Sequence, residues 1–238
     1  MTDTCSGCVL KYCFCGTAPM PEELLVNFQK DFRVHIVEGY GLTEATGLAT
    51  LNPPGKNKIR SIGTAILGQD VRILDENNKE LPRGEYGEIC VKGDCVMMGY
   101  FNNEAATKEA LKDGYLHTSD MGYMDDEGYF FIVDRKTDMI IRGGENIYPR
   151  EIEEVMYSHP AIREASVIGI PHTHYGEVPK AYVSLHTAGS TSADDIKSFL
   201  KGKIADFKIP AEIEFMDDLP KNILGKIMKK KLRESLNT

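Results

Sequence analysis

The chain has 238 residues, of which 42% are hydrophobic and 27% charged, with 22 Gly, 11 Pro and no Trp. That balance excludes disordered, fibrous and low-complexity proteins, and the length suits one large domain or two smaller ones at about 100 to 200 residues each. No run approaches the roughly 18 apolar residues that cross a bilayer, and the opening MTDTCSGCVLKYC has no basic stretch followed by an apolar one. A soluble, cytoplasmic protein without a transmembrane segment is therefore expected. The formal charge of −8 is uneven: residues 1–134 carry 12 Lys and Arg against 21 Asp and Glu, and residues 135–238 carry 16 against 15. An acidic first half argues against nucleic acid as a partner.

In chain order, LKYCFC reads as a strand, closed by a break at Gly16 to Pro19. A helix follows from Pro21, with Glu22 and Glu23 at the positive end of its dipole and Leu24, Leu25, Phe28 and Phe32 spaced as a core face. VHIV is a second strand, feeding an expected glycine-rich turn from Glu38 to Gly41. From about Ile59 to Val133 the pattern becomes short strands with turns. DVRILDENNKEL, GEICVKG and MGYMDDEGYFFIV suggest a small antiparallel sheet or barrel, with a hairpin turn at Asp125 to Gly128 and a helix from Asn103 to Leu111. Beyond Asp134 a helix is expected from Pro149 to Tyr157, then strands at EASVIGI and KAYVSLH, then a helix opened by Ser192 with Asp195 three residues on. AEIEF is a last strand and Lys226 to Leu236 a last helix.

Six cysteines fall at 5, 8, 13, 15, 90 and 95. Their spacing fits neither paired zinc ligands nor an iron–sulfur run, and free thiols in a reducing compartment are expected. His172 and His174 flank one residue in a loop and read as structural. Lys229, Lys230 and Lys231 read as a solvated helix face.

Common nucleotide loops are absent: Gly225-Lys226 is followed by Ile227, which rules out a P-loop. Gly39-x-Gly41 after a strand begins a dinucleotide fingerprint, but Glu44 stands where its third glycine would be. A carboxylate there would repel a pyrophosphate unless a metal bridged the two, which points to magnesium and a polyphosphate.

Tyr40 to Gly47 (YGLTEATG), GYLHTSDMGYMDDEGYF, VDRKTDMIIRGGENIYPREIEE and LPKNILGKIMKKKLRE, in that order, resemble the adenylate-forming (AMP-binding) family. Within it they are most similar to fatty-acid and aryl acyl-CoA synthetases. The resemblance implies an acid–thiol ligase of fatty acid metabolism: a carboxylate attacks the α-phosphate of MgATP to give an acyl-adenylate, and the thiol of CoA then displaces AMP. It implies an α/β and α+β fold. Residues 1–133 would be the trailing part of the large N-terminal domain, with an α/β piece at 1–55 and a β-barrel-like subdomain at 56–133, and residues 134–238 the small mobile α+β C-terminal domain.

The resemblance also assigns roles. Glu44 matches the magnesium ligand and Thr43 a hydroxyl to phosphate. Tyr40 matches the aromatic against adenine, and Gly16, Thr17 and Ala18 the loop on the other side of the base. Asp120 and Arg135 match the pair that reaches the ribose. Lys226 matches the lysine between carboxylate and α-phosphate, Asp134 the hinge of domain alternation, and Gly143 and Gly144 the tunnel for the CoA arm. The family's phosphate loop, of the type TSGTTGxPKG, does not occur in this sequence. The expectation is therefore a truncated synthetase whose missing N-terminal part could come from another chain. The alternatives are a non-catalytic AMP- or CoA-binding remnant, or an enzyme that delivers to a carrier protein.

Overall fold

A computed structural model describes residues 10–16, 20, 22–223 and 225–237. The chain divides into two compact units. One runs to Thr118 and adds Gly122–Ile132; the other joins Ser119–Met121 to everything from Val133 onward. The α/β and α+β character expected from the sequence is what the structure has.

The first unit opens with β1 (Tyr12–Cys15), α1 (Glu22–Phe32) and β2 (His35–Leu42), a strand–helix–strand unit whose strands pair in parallel with Tyr12 opposite His35. β3 (Gly47–Leu51) returns antiparallel along β2 and β4 (Thr64–Ala65) adds to β3. The expected turn at Glu38 to Gly41 is instead strand through Leu42, with the register shifted between Tyr40 and Gly41. The cause is a close crossing: a Cβ on residue 41 would lie 1.6 Å from the Gly47 carbonyl oxygen, so only glycine lets the two backbones meet. The expected core face of α1 is only partly one. Leu25 is buried, while Leu24 and Phe32 are exposed.

The second sheet of this unit runs β5 (Gln69–Leu74), β6 (Gly87–Gly93), β8 (Tyr115–Met124) and β7 (Leu111–Lys112), with β9 (Phe130–Arg135) on β8. Val71, Ile73, Ile89, Val91, Leu116 and Phe130 form its core together with Ala45 and Ala49. α2 (Glu104–Ala110) begins at Asn103, whose side-chain oxygen accepts the Ala106 N–H at 3.1 Å. The β8–β9 turn is tied by Asp125, whose Oδ1 accepts the N–H groups of Glu127 and Tyr129 at 3.0 and 2.8 Å.

The second unit contains β10 (Ile140–Arg142), β11 (Glu145–Ile147), α3 (Pro149–Tyr157), β12 (Ile162–His172), β13 (Gly176–Leu185), α4 (Ala193–Leu200), β14 (Glu212–Phe215) and α5 (Lys229–Glu234). The sheet order is β11-β10-β13-β12, with β14 parallel to β13. Alternation along β12 and β13 sends Ala165, Val167, Ala181 and Val183 to one face, packed with Ile152 and Met156 of α3 and Ile196 and Leu200 of α4. Ile168 and Tyr182 point the other way and meet Leu219 and Leu232. Ser192 and Asp195 form the expected reciprocal cap of α4. The last helix begins at Lys229, three residues later than expected, because Lys226 belongs to a turn. Among the described residues no helix is long and apolar enough to cross a membrane.

Candidate functional site

The first unit brings Tyr40, Thr43 and Glu44 together at the end of β2. Thr43–Ala45 form one 3₁₀ turn closed by Thr46, which sits at φ 54° and returns its N–H to the Thr43 carbonyl. Three bonds fix this turn from the segment 95–100. Met97 N–H donates to the Glu44 carbonyl at 2.7 Å, the Thr46 hydroxyl donates to the Cys95 carbonyl at 2.6 Å, and the Tyr100 hydroxyl donates to Glu44 Oε1 at 2.9 Å. Glu44 is half-buried, Thr43 exposed. The Glu44 carboxylate, helped by burial, holds the Tyr100 phenol above its ordinary value, so the phenol stays a donor. Tyr100 was not legible in advance, since it lies 56 residues from Glu44 in a loop.

Hard oxygen donors on a fixed turn suit a magnesium ion, which takes one or two carboxylates and completes its shell with water and phosphate. Tyr40 is half-buried against the core of the second sheet. Gly16 follows β1 directly; Thr17 and Ala18 lie outside the described residues. The described cysteines 13, 15, 90 and 95 are free thiols. Burial, and Glu38 nearby, push the Cys15 thiol up, which favours the thiol over the thiolate.

The second unit brings Asp120, Arg135 and Lys226 together. Ser119 stands at φ 61° and its carbonyl accepts the Lys136 N–H at 2.8 Å, which presents Asp120 beside the start of this unit. Arg135 Nε lies 3.4 Å from Asp120 Oδ1; the Asp120 side chain is largely covered and that of Arg135 mostly open. Lys226 sits in a turn in which Gly225 N–H reaches the Asn222 carbonyl at 3.0 Å, Asn222 N–H reaches the Lys226 carbonyl at 2.9 Å and the Asn222 side chain accepts the Lys226 N–H at 2.9 Å. Desolvation and then the Arg135 cation press the Lys226 ammonium below its ordinary value, against the pull of Asp120 and Asp138.

Asp134 is buried. Its Oδ1 accepts the Arg135 N–H at 2.8 Å and its Oδ2 the Arg150 N–H at 2.9 Å, in the first turn of α3, where a carboxylate also suits the helix dipole. Lys229 corrects the expectation of a solvated face. Its Nζ lies 3.0 Å from Glu153 and 3.9 Å from Asp134, with 17% of the side chain exposed, whereas Lys230 and Lys231 are exposed as expected. Burial works against this ammonium, but Glu153 and Asp134 outweigh it and hold it above its ordinary value. Gly143 and Gly144, at φ 60° and 94°, make the two-residue turn between β10 and β11, a geometry that favours glycine on local grounds. His172 is structural: its Nδ1 accepts the N–H groups of His174 and Tyr175 at 3.2 and 3.3 Å.

The family model described as AMP-binding enzyme matches residues 3–101, and that described as AMP-binding enzyme C-terminal domain matches residues 151–226. The long-chain-fatty-acid–CoA ligase of Bacillus subtilis (strain 168) is 44% identical over 227 residues, covering 94% of this chain and 40% of that protein. The 2-succinylbenzoate–CoA ligase of Bacillus licheniformis is 40% identical over 232 residues, covering 97% and 48%. The solved structure of o-succinylbenzoate coenzyme A synthetase from Bacillus subtilis, in complex with ATP and magnesium ion, superposes with a TM-score of 0.84 at 36% identity, covering 94% of this chain and 46% of that one. The chain belongs to the AMP-binding enzyme family, whose members among these relatives are acid–CoA ligases. It spans less than half the length of each of these relatives.

Proposed function

We propose that the chain supplies the nucleotide-facing end and the mobile C-terminal domain of an acyl-CoA synthetase that activates a fatty or aryl carboxylic acid with ATP and transfers it to CoA in the cytoplasm. The observation that carries this reading is the meeting of Asp120, Arg135 and Lys226, a two-oxygen acceptor beside two cations. In this reading Asp120 takes the ribose hydroxyls, which need an acceptor-only group, and Arg135 braces it. Tyr40 lies against adenine, with Gly16, Thr17 and Ala18 on the other side. Lys226 stands between the two anions, where a cation in a water-poor site offsets their repulsion most strongly. Thr43 donates to phosphate, and Glu44, oriented by Tyr100, holds magnesium. When bound, that ion neutralises phosphate charge.

The domains in this reading are residues 1–133 and 134–238, with Asp134 as the hinge. Rotation there withdraws Lys226 and brings up Gly143 and Gly144 to line the path of the CoA arm. A second reading rests on the covered Asp120 carboxylate beside Arg135, which can accept a ribose whether or not catalysis follows: a chain that binds AMP or CoA without catalysis.

ATP–pyrophosphate exchange over a panel of fatty and aryl acids, with AMP calorimetry alongside, tests both. Catalysis by the chain predicts exchange that falls by about 100-fold or more in Lys226→Ala. The binding reading predicts no exchange but AMP affinity that disappears in Asp120→Ala. A folded chain that neither exchanges pyrophosphate nor binds AMP would refute both readings.

A further inference from the structure

We propose that Glu88, Cys90 and His117, none of them used by the nucleotide site, form a binding site for a zinc ion. Alternation along the neighbouring strands β6 and β8 sends Ile89, Val91 and Leu116 into the core and places these three residues on the opposite face. Their ligand atoms, a carboxylate oxygen, a thiol sulfur and a ring nitrogen, all lie within 4.8 Å of one another. The site is largely enclosed: Cys90 is fully buried, and the side chains of Glu88 and His117 are each 11% exposed.

The distances suit an ion better than a proton. His117 Nδ1 lies 3.2 Å from Glu88 Oε2 and 3.5 Å from Cys90 Sγ. A ring nitrogen has one position in the ring plane, holding either a hydrogen or a lone pair, so it cannot serve both groups fully. A tetrahedral zinc ion about 2.0 Å from nitrogen and oxygen and about 2.3 Å from sulfur sets nitrogen about 3.3 Å from oxygen and about 3.5 Å from sulfur. The two observed separations are therefore already edges of that tetrahedron. The donors agree with the ion, since thiolate and imidazole suit zinc, whereas magnesium takes oxygen. Thiolate and carboxylate together cancel the charge of Zn²⁺, so the buried unit is neutral.

The surroundings leave the site to the ion. Arg72 is the register partner of Cys90 on β5, but its guanidinium is held by Asp70 at 3.0 Å and Glu80 at 2.9 Å. Lys92, the next residue of β6 on this face, has its ammonium over the Tyr115 ring. His117 Nε2 is buried with no hydrogen-bond partner among the described residues, so the ring's polar contacts are those at Nδ1. The Thr118 hydroxyl donates to the Ile89 carbonyl at 2.7 Å, which holds β8 against β6 beside the three donors. On binding, the Cys90 thiol releases its proton to solvent, while neutral His117 keeps its proton on Nε2 and presents Nδ1. The fourth position is left to water.

Cobalt(II) tests the site, because thiolate-bound tetrahedral cobalt shows a charge-transfer band and intense visible bands. The whole chain, reduced and stripped of metal, is titrated with cobalt and then with zinc. We expect bands that saturate at one equivalent of cobalt and are bleached by zinc. Cys90→Ser should abolish the charge-transfer band, and Cys13→Ser and Cys95→Ser should keep it. Glu88→Gln and His117→Gln should each weaken cobalt binding by more than about 10-fold, the least that even outer-shell partners of a metal ligand are worth. No band in the parent chain, a band that survives in folded Cys90→Ser, or cobalt that zinc does not displace would overturn the proposal. If Cys90→Ser does not fold by circular dichroism, Glu88→Gln and His117→Gln decide, and parent-like cobalt affinity in both would overturn it equally. No nucleotide enters these readings, so failure of the acyl-CoA synthetase reading leaves the result standing.

Discussion

The two units solve the problem of covering a sheet differently. In the second, both faces of β12 and β13 are covered, one by α3 and α4 and the other by Leu219 and Leu232, and its deepest charges are paired. In the first, β1 and β2 pair in parallel, an arrangement usually found with both faces buried, yet Tyr12 and Phe14 on β1 and Leu24, Val26 and Phe32 on α1 are exposed. In the second unit the apolar faces of the two long central strands are thus covered. The first presents an apolar face of the kind that marks an interaction surface.

The largest test of that contrast is a pair of truncations. Met156→Ala, at a fully buried position, should cost about 2 to 5 kcal/mol in a denaturant titration of the second unit. Phe32→Ser, on the exposed face of α1, should cost the first unit little and lower light scattering at high protein concentration. A Phe32→Ser chain that unfolds as readily as Met156→Ala would show that the α1 face is covered after all.

Gly41→Ala comes next, because the added methyl has backbone and not a flexible side chain in its way. We expect a loss of about 1 to 3 kcal/mol, as for overpacking, confined to the first unit. This residue also shows where the sequence was opaque. Read locally, Gly39-x-Gly41 is a turn; the reason for glycine is a backbone six residues ahead, visible only once β2 and β3 are paired. The same limit hid Tyr100 and the burial of Lys229, whose partners lie 56 residues from Tyr100 and far upstream of Lys229 at 134 and 153. What could be read was short-range chemistry: proline at the start of α3, asparagine before α2, the Ser192–Asp195 cap and the Asp125 turn. For Lys229 a weak signal did exist, since its spacing to Leu232 and Arg233 puts all three on one side of α5.

Ser192→Ala removes one partner of the α4 cap and should cost about 1 kcal/mol, seen as a lower melting temperature of the second unit. The first unit should be indifferent to it. A matching fall in both units would mean that they unfold as one body, and the contrast drawn between them would lose its thermodynamic content.

The smallest effect is expected from Asp125, and its sign follows from its surroundings. Burial alone would raise its pKa, but the Lys58 ammonium and the backbone N–H groups of Tyr129 and Glu127 outweigh burial and hold the carboxyl below its ordinary 3.8. A group lowered on folding contributes stability above its unfolded value and loses that contribution as pH falls through its folded value. The first unit should therefore lose stability below about pH 3.8, and Asp125→Asn should flatten that part of its acid limb while leaving the second unit's unchanged. Lys58 remains open to solvent, which screens the pair, so the change should be smaller than that of the lost cap. Acid titrations monitored separately through tyrosines of the first unit and of the second would measure it. An equal flattening in both would place the acid sensitivity elsewhere than in the β8–β9 turn.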